Sequence, residues 1–232
     1  MRVGHGLVHG RGTVIGAFVS PLSVTRSDPP VKQGGCVRGG TTPSSIVAGI
    51  GPARCYGPGM TRPILADALG HHVWATLCLI DACLPLTDEQ LAAAVPGTFG
   101  SILDTVRHLV GADRSYLELL SGGTVPGIDE DAMDLPALRA AMAANGPIWA
   151  GVVAGDLDPD QVVIRHREDG SESHAPLGIR LAQVTHHGTD HRSQICTALT
   201  NLGITPPEID AWDFAWQEGR MSEVPAPGTP GS

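Results

Sequence analysis

The sequence predicts an all-α fold: an antiparallel four-helix bundle with a small β-hairpin before its last helix and a disordered N-terminal extension. Three observations lead there. From residue 60 onward, apolar residues recur with the helical period in four long stretches. Proline and glycine punctuate these stretches and leave short connections between them. Residues 1–59, by contrast, show neither a helical nor a strand period.

That first segment holds 13 of the 30 glycines and 6 of the 19 prolines. Its charges are Arg2, Arg11, Arg26, Lys32, Arg38 and Arg54 against the single acid Asp28, a net +5 that leaves −14 on the remainder of a chain of net −9. Such a stretch cannot bury enough apolar area to offset the entropy of ordering it, so disorder is expected. Met60 opens the patterned part. The domain reading is therefore an extension over 1–59, translated from a start upstream of the true one at Met60, and a folded unit over 60–232.

Each element has its own signal. Pro63 suits a first helical turn, and Ile64 to Cys83 reads as the first long helix, stopped by Pro85. Thr87-Asp-Glu-Gln90 has the form of a capping box, so a short helix is predicted from there to about Val95. Pro96-Gly97 breaks the chain, and Ser101 can cap the second long helix, to about Leu120. Asp134 can cap the third, Leu135 to about Ala154. Gln161 to Arg167 is β-like, Glu168-Asp-Gly-Ser171 is a turn signal, and Glu172 to Ala175 can return as a second strand. Pro176-Leu-Gly178 leads into the last long helix, to about Asn201, with Gly203 and Pro206-Pro207 beyond it. The tail Ile209 to Trp216 is apolar enough to dock on the bundle.

Composition removes several function classes. The acidic balance argues against nucleic acid as a partner, because phosphate binding needs a basic footprint. No apolar run reaches the roughly 18 residues of a membrane span. The five cysteines are Cys36, Cys55, Cys78, Cys83 and Cys196, an odd number without a C-x-x-C, which suits neither a disulfide framework nor a cysteine zinc site. A reducing cytoplasm is the expected setting. Lys32 is the lone lysine beside 14 arginines, a codon effect of a GC-rich genome.

The chemistry is predicted on the last helix, in His186-His187-Gly-Thr-Asp-His191-Arg192-Ser-Gln194. His187 and His191 are four apart, so their side chains share a face with Cβ atoms roughly 6 Å apart. Val184, Gly188, Ile195 and Ala198 lie on that face too, so the pair points into the bundle, where a metal ion satisfies both imidazoles. His186 belongs to a polar face with Asp190 and Ser193 and reads as solvated. His108 on the second long helix is the third candidate ligand. It lies beside the apolar stripe Ile102, Val106, Leu109, Val110, Leu117 and Leu120, on a face of small and polar residues with Ser101, Asp104, Thr105, Ala112 and Ser115. Asp104, one turn earlier, can orient an imidazole. Three neutral imidazoles leave coordination positions open, as a catalytic site does. Arg192 can pair with a carboxylate on a neighbouring helix, and it and Gln194 complete the supporting candidates. His71 and His72, beside Trp74, read as a polar helix edge, and His166 and His174 as exposed strand residues.

These segments resemble a known family. Ser101-Ile-Leu-Asp-Thr-Val-Arg-His108-Leu-Val-Gly-Ala-Asp113 resembles the second-helix signature of DinB-family proteins, and His187-Gly-Thr-Asp-His191-Arg-Ser-Gln194 resembles their H-G-x-x-H-R-G-Q. Pro206-Pro-Glu-Ile-Asp-Ala-Trp-Asp213 is similar to the family's tail. The likeness spans about residues 60–220, with one departure, Ser193 in place of a glycine, whose hydroxymethyl would narrow a helix contact. It implies a DinB-like bundle, often homodimeric, with a three-His centre of His108, His187 and His191 for one divalent metal, zinc before nickel, iron or manganese. The superfamily includes thiol S-transferases that use bacillithiol or mycothiol. The expected function is thus a metal-dependent S-transferase acting on a low-molecular-weight thiol of the mycothiol type and a small electrophile. The alternatives are a hydrolase using metal-bound hydroxide, with Asp104 or Asp190 as base, and a non-catalytic, metal-stabilised stress-response or binding protein.

Overall fold

The computed structural model of the chain describes residues 62–224, so the extension expected over 1–59 and the start proposed at Met60 lie outside the described residues. The elements follow the order α1 (Leu65–Cys83), α2 (Asp88–Leu91), α3 (Ile102–Leu120), α4 (Leu135–Val153), β1 (Val162–His166), β2 (Glu172–Pro176), α5 (Leu177–Asn201) and α6 (Ala211–Gln217). The predicted caps form. Thr87 and Gln90 close the capping box, Ser101 accepts from the Asp104 N–H, and Asp134 accepts from the Ala137 N–H. Each takes up a helix-end donor that no earlier residue can satisfy.

The short helix stops at Leu91 and does not run to Val95. Its intended last turn is drawn into a closed loop instead. Ala94 bridges Ser101, and the Ile102 N–H donates to the Ala93 carbonyl at 3.1 Å. Gly97, at φ 89°, makes the reversal in a region that disfavours residues with a Cβ. This loop, residues 92–101, carries Phe99 onto His108 of α3.

The four long helices are arranged so that α1 packs against α4 and α5, and α3 against the same two. The core is mainly aliphatic, with Trp149 its largest side chain: Leu69, Leu79, Val106, Leu109, Leu117, Leu138, Met142, Trp149, Ile195 and Leu199 are all buried. Fully burying one such side chain contributes roughly 1.5–3 kcal/mol. The stripe expected on α3 is buried from Ile102 to Leu117, with Leu120 half-exposed at its end. None of the described helices is long and apolar enough to cross a membrane.

The antiparallel hairpin pairs Val162 with Pro176 and His166 with Glu172. Arg180 holds it against α5 by donating to the Val163 and Ser173 carbonyls, and Arg165 ties it to Ser115 of α3 at 2.8 Å. The tail docks mainly through Phe214. Phe214 of α6 is buried on Gly70 and lies edge-on to His71, whereas Trp212 and Trp216 stay exposed. His71, expected on a polar edge, is half-buried beneath this tail, with its Nε2 2.8 Å from the Ile209 carbonyl.

Candidate metal centre

Two adjoining rows of α5 face two different neighbours. His187 and His191 face α3, and Gly188 and Arg192 face α1. The spacing of the helix alone separates the rows, since neighbours in sequence are about 100° apart around it.

On the α3 side the three predicted imidazoles come together. His187 Nε2 lies 3.1 Å from His108 Nε2 and 3.1 Å from His191 Nε2. One ligand nitrogen from each ring lies within 4.8 Å of the others, and among the described residues this is the His, Cys, Asp and Glu cluster that could hold a metal ion. A metal bonded at roughly 2.0–2.1 Å to each of two imidazoles holds their nitrogens roughly 3 Å apart, so the spacing fits. Hydrogen bonding alone does not satisfy the cluster. His187 Nε2 carries at most one proton and cannot donate to both neighbours, while His191 already points its other nitrogen, Nδ1, at the Gln194 Oε1 at 3.0 Å. That oxygen accepts, so the His191 proton sits on Nδ1 and a lone pair on Nε2 faces the cluster.

Burial favours the neutral, ligating form of His187 and His108. Desolvation, with the neighbouring His191 and His108, pulls His187 from 6.5 down to about 4, and desolvation also lowers His108. In the unfolded chain His187 binds its proton below pH 6.5, whereas in the folded chain it does so only near 4. The unfolded state therefore takes up the proton first as the pH falls. The metal-free protein is expected to lose stability between pH 6.5 and about 4, and His187→Gln is expected to flatten that fall. Urea unfolding midpoints across this window provide the check, and identical slopes for the two proteins would remove the argument.

Gln194 is the supporting residue with a visible connection. The same Oε1 that receives His191 Nδ1–H also accepts the Phe99 N–H at 3.0 Å, so one atom joins a ligand to the covering loop. Asp104 serves elsewhere. Its carboxylate receives the Ser101 hydroxyl at 2.7 Å at the exposed start of α3. His186 and Ser193 are exposed, so the hydroxymethyl of Ser193 narrows no helix contact. His166 and His174 are exposed on the hairpin, both joined to Glu172.

The α1 side holds what the sequence did not announce. His72 is 2% exposed and bonded through Nε2 to Asp113 Oδ1 at 2.9 Å. Asn145 donates to Asp113 Oδ2 at 2.6 Å, and the Trp149 indole N–H to Oδ1 at 3.0 Å. Arg192 brings its NH1 to His72 Nδ1 at 3.1 Å and also to Thr76 Oγ1 at 3.2 Å. A guanidinium only donates, so His72 Nδ1 accepts and its proton lies on Nε2, given to Asp113. Arg192 thus meets its carboxylate through an imidazole instead of directly. Burial pulls Arg192 down to about 10, and it stays cationic at neutral pH. Four helices, α1, α3, α4 and α5, are joined by this one buried network. A signal existed in Asp113, an acid on the apolar side of α3, but its partners are named only by the fold.

Gly188 makes the approach of α1 and α5 possible. A Cβ there would stand 2.3 Å from His72 Nδ1 and 2.9 Å from Arg192 NH1. His72 cannot swing aside without leaving Asp113. Gly188→Ala is therefore expected to lower stability by about 1–3 kcal/mol, as overpacked cores do. A thermal unfolding midpoint equal to that of the parent protein would contradict this.

No curated protein matches the chain significantly. Among solved structures, YfiT from Bacillus subtilis is similar at a TM-score of 0.47 and 17% identity over 67% of this chain and 97% of that one. Its description is a probable metal-dependent hydrolase with an unusual four-helix bundle topology. The model of the DinB family matches residues 60–224, which takes in the whole bundle, the hairpin and the tail. This chain belongs to the DinB family.

Proposed function

We propose that the chain is a metal-dependent enzyme in which His108, His187 and His191 hold one divalent ion, zinc foremost, and that it transfers a low-molecular-weight thiol of the mycothiol type to a small electrophile. The observation that supports this reading most is the donor set: three imidazole nitrogens, drawn from two helices and within 4.8 Å of one another. With no anionic ligand to offset it, an ion there would keep its full charge and hold a thiol as thiolate. Three protein ligands also leave room for a substrate.

The surrounding residues have separate tasks in this scheme. Gln194 fixes which nitrogen of His191 faces the centre. The Phe99 ring shields His108 from one side. The buried network on the α1 side keeps α5 in register with α3. Hydrolysis would need a base to take a proton from water. Of the two acids considered, Asp104 is bonded to Ser101 and Asp190 is exposed, so the surroundings favour the thiol reading. Cys78, Cys83 and Cys196 are free thiols, in keeping with a reducing compartment such as the cytoplasm.

The test is elemental analysis of protein purified without added metal, followed by assay with mycothiol and a generic electrophile. The expected result is one divalent ion per chain and thiol-dependent loss of the electrophile, both absent in His191→Ala. Ester or amide cleavage without thiol would replace this reading with the hydrolase. Bound metal with no turnover of either kind would replace it with a metal-stabilised binding protein.

A further inference from the structure

Phe99 is an exposed aromatic, at 54%, yet it is not loose. Its ring lies flat on His108, with centroids 4.2 Å apart and planes 13° apart, and meets His191 edge-on at 5.3 Å and 83°. Its backbone N–H is fixed to Gln194. The loop that carries it is closed on itself by Thr98, whose N–H and hydroxyl both donate to the Val95 carbonyl and whose hydroxyl also reaches the Gly100 carbonyl. A large apolar ring held this firmly, and left half in water, is not there to fill the core. One of its faces covers a candidate ligand. The rest of the exposed ring stands in solvent beside two of the three candidate ligands.

We propose that Phe99 is the specificity-determining residue of the three-His centre and that it selects planar, unsaturated molecules over saturated ones of similar size. This inference rests on the metal reading above. An aromatic face prefers an aromatic partner in offset or edge-on contact, beyond what burial of equal area contributes. The rigid seat of Phe99 strengthens that preference, because little side-chain freedom remains to be lost on binding. Through Gln194, a molecule that moves the loop also moves the oxygen on which His191 is hung. Selection at the rim is thereby felt at a ligand.

The test uses the full chain loaded with cobalt(II), whose visible absorption reports the ligand field and so needs no turnover. Thiophenol and cyclohexanethiol, alike in size but not in planarity, are titrated into the parent protein and into Phe99→Leu. Comparing the ratio of their dissociation constants between the two proteins cancels the difference in thiol acidity. The expected result is a fall in the preference for thiophenol by roughly three- to tenfold in Phe99→Leu, with one cobalt ion per chain still bound before thiol addition. Phe99→Tyr, which keeps the ring, is expected to retain the preference. An unchanged ratio in Phe99→Leu overturns the proposal while leaving the metal centre standing. Loss of cobalt binding in Phe99→Leu or loss of preference in Phe99→Tyr also overturns it, since the ring would then serve to hold His108 and not to select. A parent protein that gives no cobalt spectrum at all overturns both this inference and the metal reading.

Discussion

His187→Ala is expected to leave the protein with almost no bound metal. His187 Nε2 is the atom the other two share, 3.1 Å from each. Without it, His108 and His191 remain as a two-point contact. Loss of a supporting group around a metal ligand typically costs 10–100-fold in affinity, so loss of the ligand itself should exceed about 100-fold. Isothermal titration with zinc and elemental analysis of the purified variant read this directly. The fold should survive the change, because the side chain is only half-buried and stands outside the network around Asp113. Far-ultraviolet circular dichroism of the metal-free variant should match the parent. A variant that still carries one ion per chain would end the case for the centre.

Asp113→Ala is expected to be strongly destabilising. Its carboxylate receives His72, Asn145 and Trp149, all buried. Truncation leaves three donors without an acceptor, and a buried donor without a partner costs about 1–3 kcal/mol. It also removes the anion that balances Arg192, 4% exposed, across His72. Breaking one side of a buried charge pair typically costs 3–5 kcal/mol, a large share of the 5–15 kcal/mol that holds a domain together. Urea unfolding should show a midpoint shift of that size, and Asp113→Asn, which keeps the shape but not the charge, should fall between. A loss under about 1 kcal/mol for Asp113→Ala would show that the network is incidental. Measuring Arg192→Met in the Asp113→Ala background separates the orphaned cation from the orphaned donors.

These two residues also show where sequence reasoning reaches and where it stops. His187 and His191 were legible because both the four-residue step and the apolar company of Val184, Ile195 and Ala198 lie within one helix. His108 was legible because its flanking residues form a polar seam beside a regular stripe. His72 was misread as a polar edge. Its partner is 41 positions away on another helix, and a histidine beside Trp74 carries no local mark of burial. Phe99 carries no mark in the sequence for a related reason. Helical period says nothing about a loop, and what seats this ring is a glutamine 95 positions later. The overlong reading of the short helix has the same origin, since the Ala94–Ser101 bridge is a tertiary closure that overrides local propensity.

The two rows of α5 have a consequence for how the protein can vary. A slip of this helix by one residue would turn it by about 100° and present the wrong row to both neighbours at once. The contacts that keep the bundle closed are therefore also a gauge of ligand aim. Mutations that relax the α1 side should blur the binding geometry on the α3 side before they unfold anything, so partial loss of metal at full helicity is the early symptom of a weakened frame.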